Sequence, residues 1–213
     1  MDLWSRIGEQ HRCWNVLDHP FYERWSTGSL SHADLAVYAS EYRHAVVALA
    51  HASADAAATA NDPAERAQLE AHATEEAAHV ELWDGFAAAV GADLDRPPAW
   101  ETELCARRWI GYRRSLAGQL AALYAIESAQ PAISATKAAG LRMHYGFETG
   151  PATAYFDVHT ERDLEHAAEA RALLERHAPG EDPEGLAAEV GRVLRSNWTL
   201  LDGVERLLSA TPA

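Results

Sequence analysis

The chain of 213 residues has few cysteines, no signal-peptide-like start and no long apolar run. Its two cysteines, Cys13 and Cys105, form no Cys-x-x-Cys pair and no thiolate metal set, and we expect both to be reduced and buried. The first ten residues lack the apolar core of a signal peptide, and no stretch approaches the ~20 apolar residues of a membrane helix. These absences predict a cytoplasmic protein that does not enter a membrane.

Positive charge is also scarce. There are 18 lysines and arginines against 32 aspartates and glutamates, and the formal net charge is -14. This balance argues against nucleic acid as a partner. The exception is a local group of arginines, which could guide an anionic substrate or, as we favour, form a solvated helix face. Its members are Arg107, Arg108, Arg113 and Arg114.

Signals for β-strands are almost absent, because valine and isoleucine are sparse and no clean period-two run occurs. Alanine, the best helix former, is abundant. The sequence therefore predicts an all-α protein of about seven helices, in one domain over residues 1–213. The predicted helices cover residues 2–17, 31–60, 63–90, 101–114, 116–144, 151–177 and 183–209, with a short aromatic helix at 21–28.

A short stretch near residue 160 carries His159, Asp163 and His166. On an α-helix, Asp163 lies about 40° from His159, and His166 about 20° away on the other side, so the three share one face. Two imidazoles and a carboxylate stacked in this way suit Fe, Mn or Zn. The alternative is a solvated polar face in an acidic, histidine-rich protein.

The predicted helix 63–90 contains further candidate ligands. Glu76 and His79 have the i, i+3 spacing that di-iron carboxylate bundles use, and Glu75 shares a face with His79 at i, i+4. The alternative is an exposed, acidic end of a surface helix, since Glu-x-x-His also occurs by chance.

The predicted helix 116–144 adds a carboxylate within an apolar run. Glu127 would be costly there without a partner, so we expect a metal or a basic group beside it. Pro131 cannot donate a hydrogen bond to the Glu127 carbonyl, so the helix should kink at this point. Three helices thus offer three carboxylates and three imidazoles, a set that can hold two irons.

Several segments resemble the TenA/PqqC-type, haem-oxygenase-like fold, and together they span about residues 15–180. They are HPFYERWSTGSLS at 19–31, AVYASEY at 36–42, HVELW at 79–83, LYAIES at 123–128 and YFDVH at 155–159. The ligand set resembles that of the haem-oxygenase-like di-iron oxidases in particular. The resemblance implies a seven-helix bundle, two irons per chain (or a Mn/Fe pair), O2 and a small organic substrate, and a homodimer.

The ligands that the resemblance implies are Glu76 or Glu75, His79, Glu127, His159, Asp163 and His166. In the chlamydial, death-domain-associated branch the first glutamate lies seven residues before its histidine. That position is His72 here, so Glu75 or Glu76 must take over, and the spacing in a decarboxylase branch favours Glu76.

The leading hypothesis is a non-haem di-iron oxidase or oxygenase that acts on a small organic molecule. The chlamydial branch, however, makes p-aminobenzoate from one of its own tyrosines and also requires a lysine. Tyr22 and Lys137 resemble these two residues, and Tyr155 resembles a further tyrosine near the metal, whereas Ile126 replaces another. Packing is the alternative role for Tyr22, and a surface position the alternative for Lys137. A metal-free TenA-like small-molecule-binding protein and a partner-binding bundle with a vestigial site are the remaining hypotheses.

Overall fold

The computed structural model describes residues 2–111 and 114–210, which form nine α-helices, one 3-10 turn and no β-strand. The helices are α1 Leu3–Cys13, α2 Pro20–Ser26, α3 His32–Thr59, α4 Pro63–Val90, α5 Trp100–Ile110, α6 Leu116–Glu127, α7 Gln130–His144, α8 Pro151–His177 and α9 Pro183–Ala210. The predicted all-α class is confirmed, with more helices than the seven expected. The assignment of 1–213 to one domain stays a prediction.

Two predicted helices are divided in the structure. The helix expected over 2–17 ends at Cys13, and a 3-10 turn follows over Val16–Asp18, because the Asn15 side chain accepts a hydrogen bond from the Leu17 amide. The helix expected over 116–144 breaks after Glu127 and resumes at Gln130. This confirms the predicted disruption beside Pro131, whose nitrogen has no hydrogen to donate.

The two long helices of the central hairpin begin and end at the predicted signals. At the start of α3, Ser31 and Asp34 form a capping box, in which each side chain accepts from the other's backbone amide. Asp62 caps α4 ahead of Pro63. The helix ends at Gly91, whose φ of 72° is in the left-handed region that glycine adopts readily.

The helices pack so that α8 lies between α4, α6 and α7, while α9 covers α1, α5 and α6. An aromatic core fills the space between α4 and α8. Trp83 and Phe86 of α4 contact Phe156 of α8 edge to face, at centroid distances of 5.8 and 5.1 Å. None of the described helices is long and apolar enough to cross a membrane. His159, Asp163 and His166 of α8 are buried on the side of the helix that packs against its neighbours.

A close approach of α2 and α7 sets the position of Lys137 relative to Tyr22. The Trp25 indole Nε1 of α2 donates to the Lys137 carbonyl oxygen of α7 at 3.2 Å. One turn further along α7, a Cβ on Gly140 would lie 2.5 Å from Trp25 Nε1 and 2.6 Å from Cδ1. The absence of a side chain at residue 140 is what allows the buried indole to seat against α7.

Replacement of Gly140 by alanine should therefore destabilise the protein by about 1–3 kcal/mol, because the fully buried Trp25 ring has to move. The matched control is Gly8→Ala in α1, where the nearest atom is 3.6 Å away. That change should stabilise the helix by about 0.5–1 kcal/mol. Urea unfolding measures both free energies. Equal effects of the two substitutions would contradict the proposed packing constraint.

Candidate metal centre and a buried lysine

The ligand-type side chains come from three helices and are all buried. Helices α4 and α8 each present a histidine, a carboxylate four residues later and a second histidine three residues after that. This spacing keeps each set on one helix face. The residues are His72, Glu76 and His79 on α4, His159, Asp163 and His166 on α8, and Glu127 on α6, each at most 7% exposed.

The two helix faces meet in antiparallel fashion. The ring of His72 lies 4.2 Å from that of His166, and the ring of His79 lies 4.4 Å from that of His159. Glu76 Oε1 is 3.2 Å from His79 Nδ1 and 3.4 Å from His166 Nδ1. Two groups of potential ligands result, each with its atoms within 4.8 Å of one another, and Glu76 belongs to both.

The polar atoms of this cluster face one another without directed hydrogen bonds. His72 Nε2 and Glu127 Oε1, for example, are 2.9 Å apart, yet neither makes a hydrogen bond. Ligand atoms about 2.0–2.2 Å from one metal ion, at right angles to each other, lie about 3 Å apart. The buried atoms of the cluster that make no hydrogen bond are His72 Nε2, Glu76 Oε1, His79 Nδ1, both carboxylate oxygens of Glu127 and of Asp163, His159 Nε2 and His166 Nδ1. Their donor types and spacing fit a metal ion in each group.

Outer contacts fix the orientation of two histidines. His159 Nδ1 donates to the Tyr155 carbonyl oxygen at 2.6 Å, which leaves Nε2 toward the cluster. His166 Nε2 lies 3.0 Å from Glu75 Oε2, which leaves Nδ1 toward the cluster. Glu75 also accepts two hydrogen bonds from Arg162, at 2.6 and 2.8 Å, and this guanidinium lowers the pKa of Glu75 to about 2. The structure thus places Glu76 inside the cluster and Glu75 behind His166.

The electrostatics of the cluster favour cations. The described residues that form ion pairs with Glu76, Glu127 and Asp163 are all histidines. Burial raises the pKa of Asp163, as expected for a carboxylate without a fixed cation. Burial lowers the pKa of His159, which keeps its imidazole neutral and able to bind a metal. Two divalent ions would balance three buried carboxylates and leave one positive charge for an anionic ligand.

Lys137 is the only lysine in the chain, and it is 1% exposed. Five aromatic rings surround its Nζ, so the surface position that the sequence left open is wrong. The Nζ-to-centroid distances are 4.4 Å for Tyr42, 5.0 Å for Tyr38, 5.5 Å for Phe156, 5.6 Å for Tyr22 and 5.7 Å for Trp83. Burial lowers the pKa of Lys137 well below its usual value, which favours the neutral amine over the ammonium ion.

The lysine cage adjoins the metal cluster. Tyr155 stacks on His159 with centroids 3.9 Å apart and meets Trp83 edge to face at 4.9 Å. Trp83 in turn borders Lys137. Tyr22 is also buried, and burial raises its pKa well above the usual value, so its phenol stays protonated.

A cavity of about 340 Å³, lined by residues of α1, α6, α7 and α9 among others, borders the lysine cage. Its lining includes Tyr42, which also contacts Lys137. Four lining residues carry buried polar atoms without a hydrogen-bond partner, and these atoms are Tyr42 Oη, Trp109 Nε1, Gln130 Oε1 and Asn197 Oδ1. A small polar molecule in this cavity would find both donors and acceptors.

Sequence reasoning missed His72 as a member of the cluster. The available signal was the repeat of one pattern, His-x3-acid-x2-His, at 72–79 and again at 159–166. Sequence reasoning also placed Cys13 in the interior, which is wrong because Cys13 is exposed, whereas Cys105 is buried and both are free.

The described members of the arginine group around residues 107–114 are not part of the histidine–carboxylate cluster. Arg107 pairs with Glu103 of the same helix, and Arg114 pairs with Glu189 of α9. Arg108 is exposed, and Arg113 lies outside the described residues.

Helical bundles with histidines and carboxylates on facing helices include metal-dependent redox enzymes. The chain belongs to the haem-oxygenase-like family of iron-containing redox enzymes, whose model matches residues 37–198. It is 30% identical over 209 residues to the 4-aminobenzoate synthase of Chlamydia pneumoniae, which covers 93% of this chain and 91% of the relative. It is 32% identical over 215 residues to the 4-aminobenzoate synthase of Nitrosomonas europaea, with 89% and 85% covered.

The fold comparison agrees with the family. A TenA homologue from P. horikoshii OT3 superposes with a TM-score of 0.79 at 15% identity, over 97% of this chain and 99% of that one. The predicted TenA/haem-oxygenase-like fold is therefore confirmed.

The neutral state of Lys137 leads to a stability prediction for the metal-free protein. In the unfolded chain this lysine stays protonated until the pH approaches its ordinary pKa of about 10.4. Burial lowers the pKa in the folded chain, so over this pH range the unfolded state binds more protons than the folded state. The free energy of unfolding of the wild type should therefore rise with pH until about pH 10.4. Lys137→Met should stabilise the protein by about 1–3 kcal/mol at pH 7, because a buried polar group is removed. The gain should shrink at pH 9.5. Lys137→Arg, which keeps its charge, should instead destabilise at both pH values.

Urea unfolding at the two pH values measures these differences. A Lys137→Met gain that does not change with pH would mean that the folded protein keeps this lysine protonated.

The two adjacent glutamates should differ in metal binding. Glu76→Gln removes a charged oxygen that reaches both ligand groups, so Fe(II) binding measured anaerobically should fall more than the roughly 10–100-fold typical of an outer residue. Glu75→Gln is the matched control, since it weakens only the support behind His166. A larger loss for Glu75→Gln than for Glu76→Gln would reverse the assignment.

Proposed function

We propose that this chain is a two-metal oxidase that forms 4-aminobenzoate from its own side chains, with Tyr22 as the source of the ring and Lys137 as the source of the amine. The observation that carries the proposal is the only lysine of the chain, which is buried 5.6 Å from the Tyr22 ring and beside the histidine–carboxylate cluster. Two relatives named 4-aminobenzoate synthase support the proposal.

The chemistry of a tyrosine side chain fits this product. Both contain a benzene ring with one carbon and one heteroatom in para positions. Cβ would become the carboxylate carbon when the Cα–Cβ bond breaks, with one O2 supplying both carboxylate oxygens and Cα taking up a hydrogen. Nitrogen would replace the phenolic oxygen, which leaves as water, when the Cε–Nζ bond of Lys137 breaks and further O2 oxidises Cε to an aldehyde. The amine has to be unprotonated to form a bond to carbon, and burial of Lys137 provides that state. O2 is the oxidant that we propose for the carbon that becomes the carboxylate.

The metal ions would be held by Glu76, His79 and His159 in one group and by Glu76 and His166 in the other. Glu127 and Asp163 lie beside these groups and would complete them. Two irons, or a Mn/Fe pair, would supply the redox chemistry that activates O2. The surrounding residues keep water away, because Tyr155 and Trp83 close the side that faces the lysine cage.

A second candidate function is the oxidation of an external small organic molecule by the same metal centre. The cavity that Tyr42 helps to line favours this candidate, since its volume of about 340 Å³ and its unpaired polar atoms suit a small polar ligand. The homodimer that the family resemblance implies stays a prediction in either case.

Isotope labelling of the protein tests the first candidate directly. Protein made with ring-labelled tyrosine, incubated with Fe(II), a reductant and O2 but no added substrate, should release ring-labelled 4-aminobenzoate, at most one per chain. Protein made with 15N-lysine should give 15N product, and the label can come only from Lys137 because no other lysine exists. Mass spectrometry measures the product and the matching loss at Tyr22.

The control pair is Tyr22→Phe and Tyr145→Phe. The first removes the phenol proposed to react, and we expect no product. The second removes a hydroxyl that donates to backbone carbonyls of α2, and we expect product formation to continue. Unlabelled product, or several products per chain, would transfer the assignment to the second candidate.

A further inference from the structure

The candidate metal centre has an approximate two-fold symmetry that the sequence itself encodes. The pattern His-x3-Glu-x2-His on α4 is matched by His-x3-Asp-x2-His on α8. Because the helices run antiparallel, the first histidine of each pattern faces the second histidine of the other. The ring pairs His72–His166 and His79–His159 are separated by nearly equal distances, 4.2 and 4.4 Å.

The approximate two-fold relates His72, the first histidine of the α4 pattern, to His159, the first histidine of the α8 pattern. His72 is buried, its Nε2 makes no hydrogen bond, and it forms a ligand-type group with Glu76 and His166. Its Nε2 is 2.9 Å from Glu127 Oε1 and 3.8 Å from Glu76 Oε1. Without His72, this second group would have one imidazole where the first has two.

We propose that His72 is a metal ligand, so that each of the two metal ions is held by one histidine from α4 and one from α8, with Glu76 shared between them. The inference rests on the proposed two-metal centre and deepens it. Under this arrangement the second ion is bound by His72 and His166 with Glu127 beside them. The centre then has four imidazoles and three carboxylates, so the two positions match in nitrogen ligands.

The exchange of a carboxylate for an imidazole at residue 72 has an electrostatic consequence. A fourth carboxylate would cancel the charge of two divalent ions, whereas a neutral imidazole leaves one positive charge in the buried centre. Such a centre favours a bound anion, which includes reduced oxygen species and carboxylates. Similar nitrogen ligation also predicts that the two ions bind with similar affinity.

Anaerobic titration of the metal-free, full-length chain with Co(II) tests the role of His72. Visible spectra follow ligation, and metal analysis after gel filtration gives the stoichiometry. We expect two Co(II) per wild-type chain. His72→Phe, which keeps an aromatic ring against His166 but removes the ligand nitrogen, should bind one Co(II), with the second binding weakened by more than the roughly 10–100-fold that loss of an outer residue causes. His72→Glu, which restores a ligand atom, should bind two.

The control for a general histidine effect is His51→Ala, an exposed histidine on α3, which should bind two Co(II). Circular dichroism of each variant separates loss of a ligand from loss of fold. Two Co(II) bound by His72→Phe with wild-type affinity would overturn the inference about His72 while leaving the two-metal centre intact. Failure of the wild type itself to bind two Co(II) would reject the metal centre and, with it, the proposed function.

Discussion

The structure depends on the burial of three carboxylates in one small region between helices. Glu76, Glu127 and Asp163 are each at most 1% exposed, and among the described residues only histidines form ion pairs with them. Such a group is stable only when opposite charge lies close by, since removing an unpaired carboxylate from water costs several kcal/mol. Three features orient nitrogen or oxygen atoms toward one centre and so bring histidines close to these carboxylates. They are the antiparallel pairing of α4 and α8, the break after Glu127, and the outer contacts of His159 and His166.

Burial acts on the neighbouring lysine in the opposite chemical sense. Buried carboxylates need positive charge nearby. Burial lowers the pKa of Lys137, and among the described residues no carboxylate of the cluster forms an ion pair with its Nζ that would offset this effect. The aromatic rings that enclose Nζ could stabilise a cation by about 2 kcal/mol, which is less than the cost of burying the charge. The fold thus places the candidate metal cluster and the buried amine on the two sides of one aromatic pair, Trp83 and Tyr155. The reaction proposed above, which oxidises Cβ of a tyrosine and replaces its hydroxyl with nitrogen, needs both.

Much of the fold and part of the site could be predicted from local signals. Capping residues and alanine content defined α3 and α4, and the i, i+4, i+7 spacing placed His159, Asp163 and His166 on one face. The choice between Glu75 and Glu76 could not be made in this way, because adjacent residues differ by about 100° and only packing against α8 sets the rotation of α4. The Glu-x-x-His spacing does not indicate His72, because this histidine precedes its carboxylate by four residues. The burial of Lys137 was hidden because the alanines around it fit either face of α7.

The position of Tyr22 constrains what the cavity can do. Tyr42, and not Tyr22, lines the cavity, and the Tyr42 ring lies closer to Lys137, at 4.4 Å against 5.6 Å. A molecule in the cavity could therefore contact Tyr42, whose ring also borders Lys137. If the chain consumes its own tyrosine, no substrate has to enter, but a product as polar as an aminobenzoate still has to leave a core in which Tyr22 is 2% exposed. The cavity is then an exit, and its unpaired polar atoms would bind the departing product. If the substrate is external, the same atoms would bind it on entry. The two candidate functions thus use one cavity in opposite directions, and in both Tyr42 is the residue that borders the cavity and the lysine.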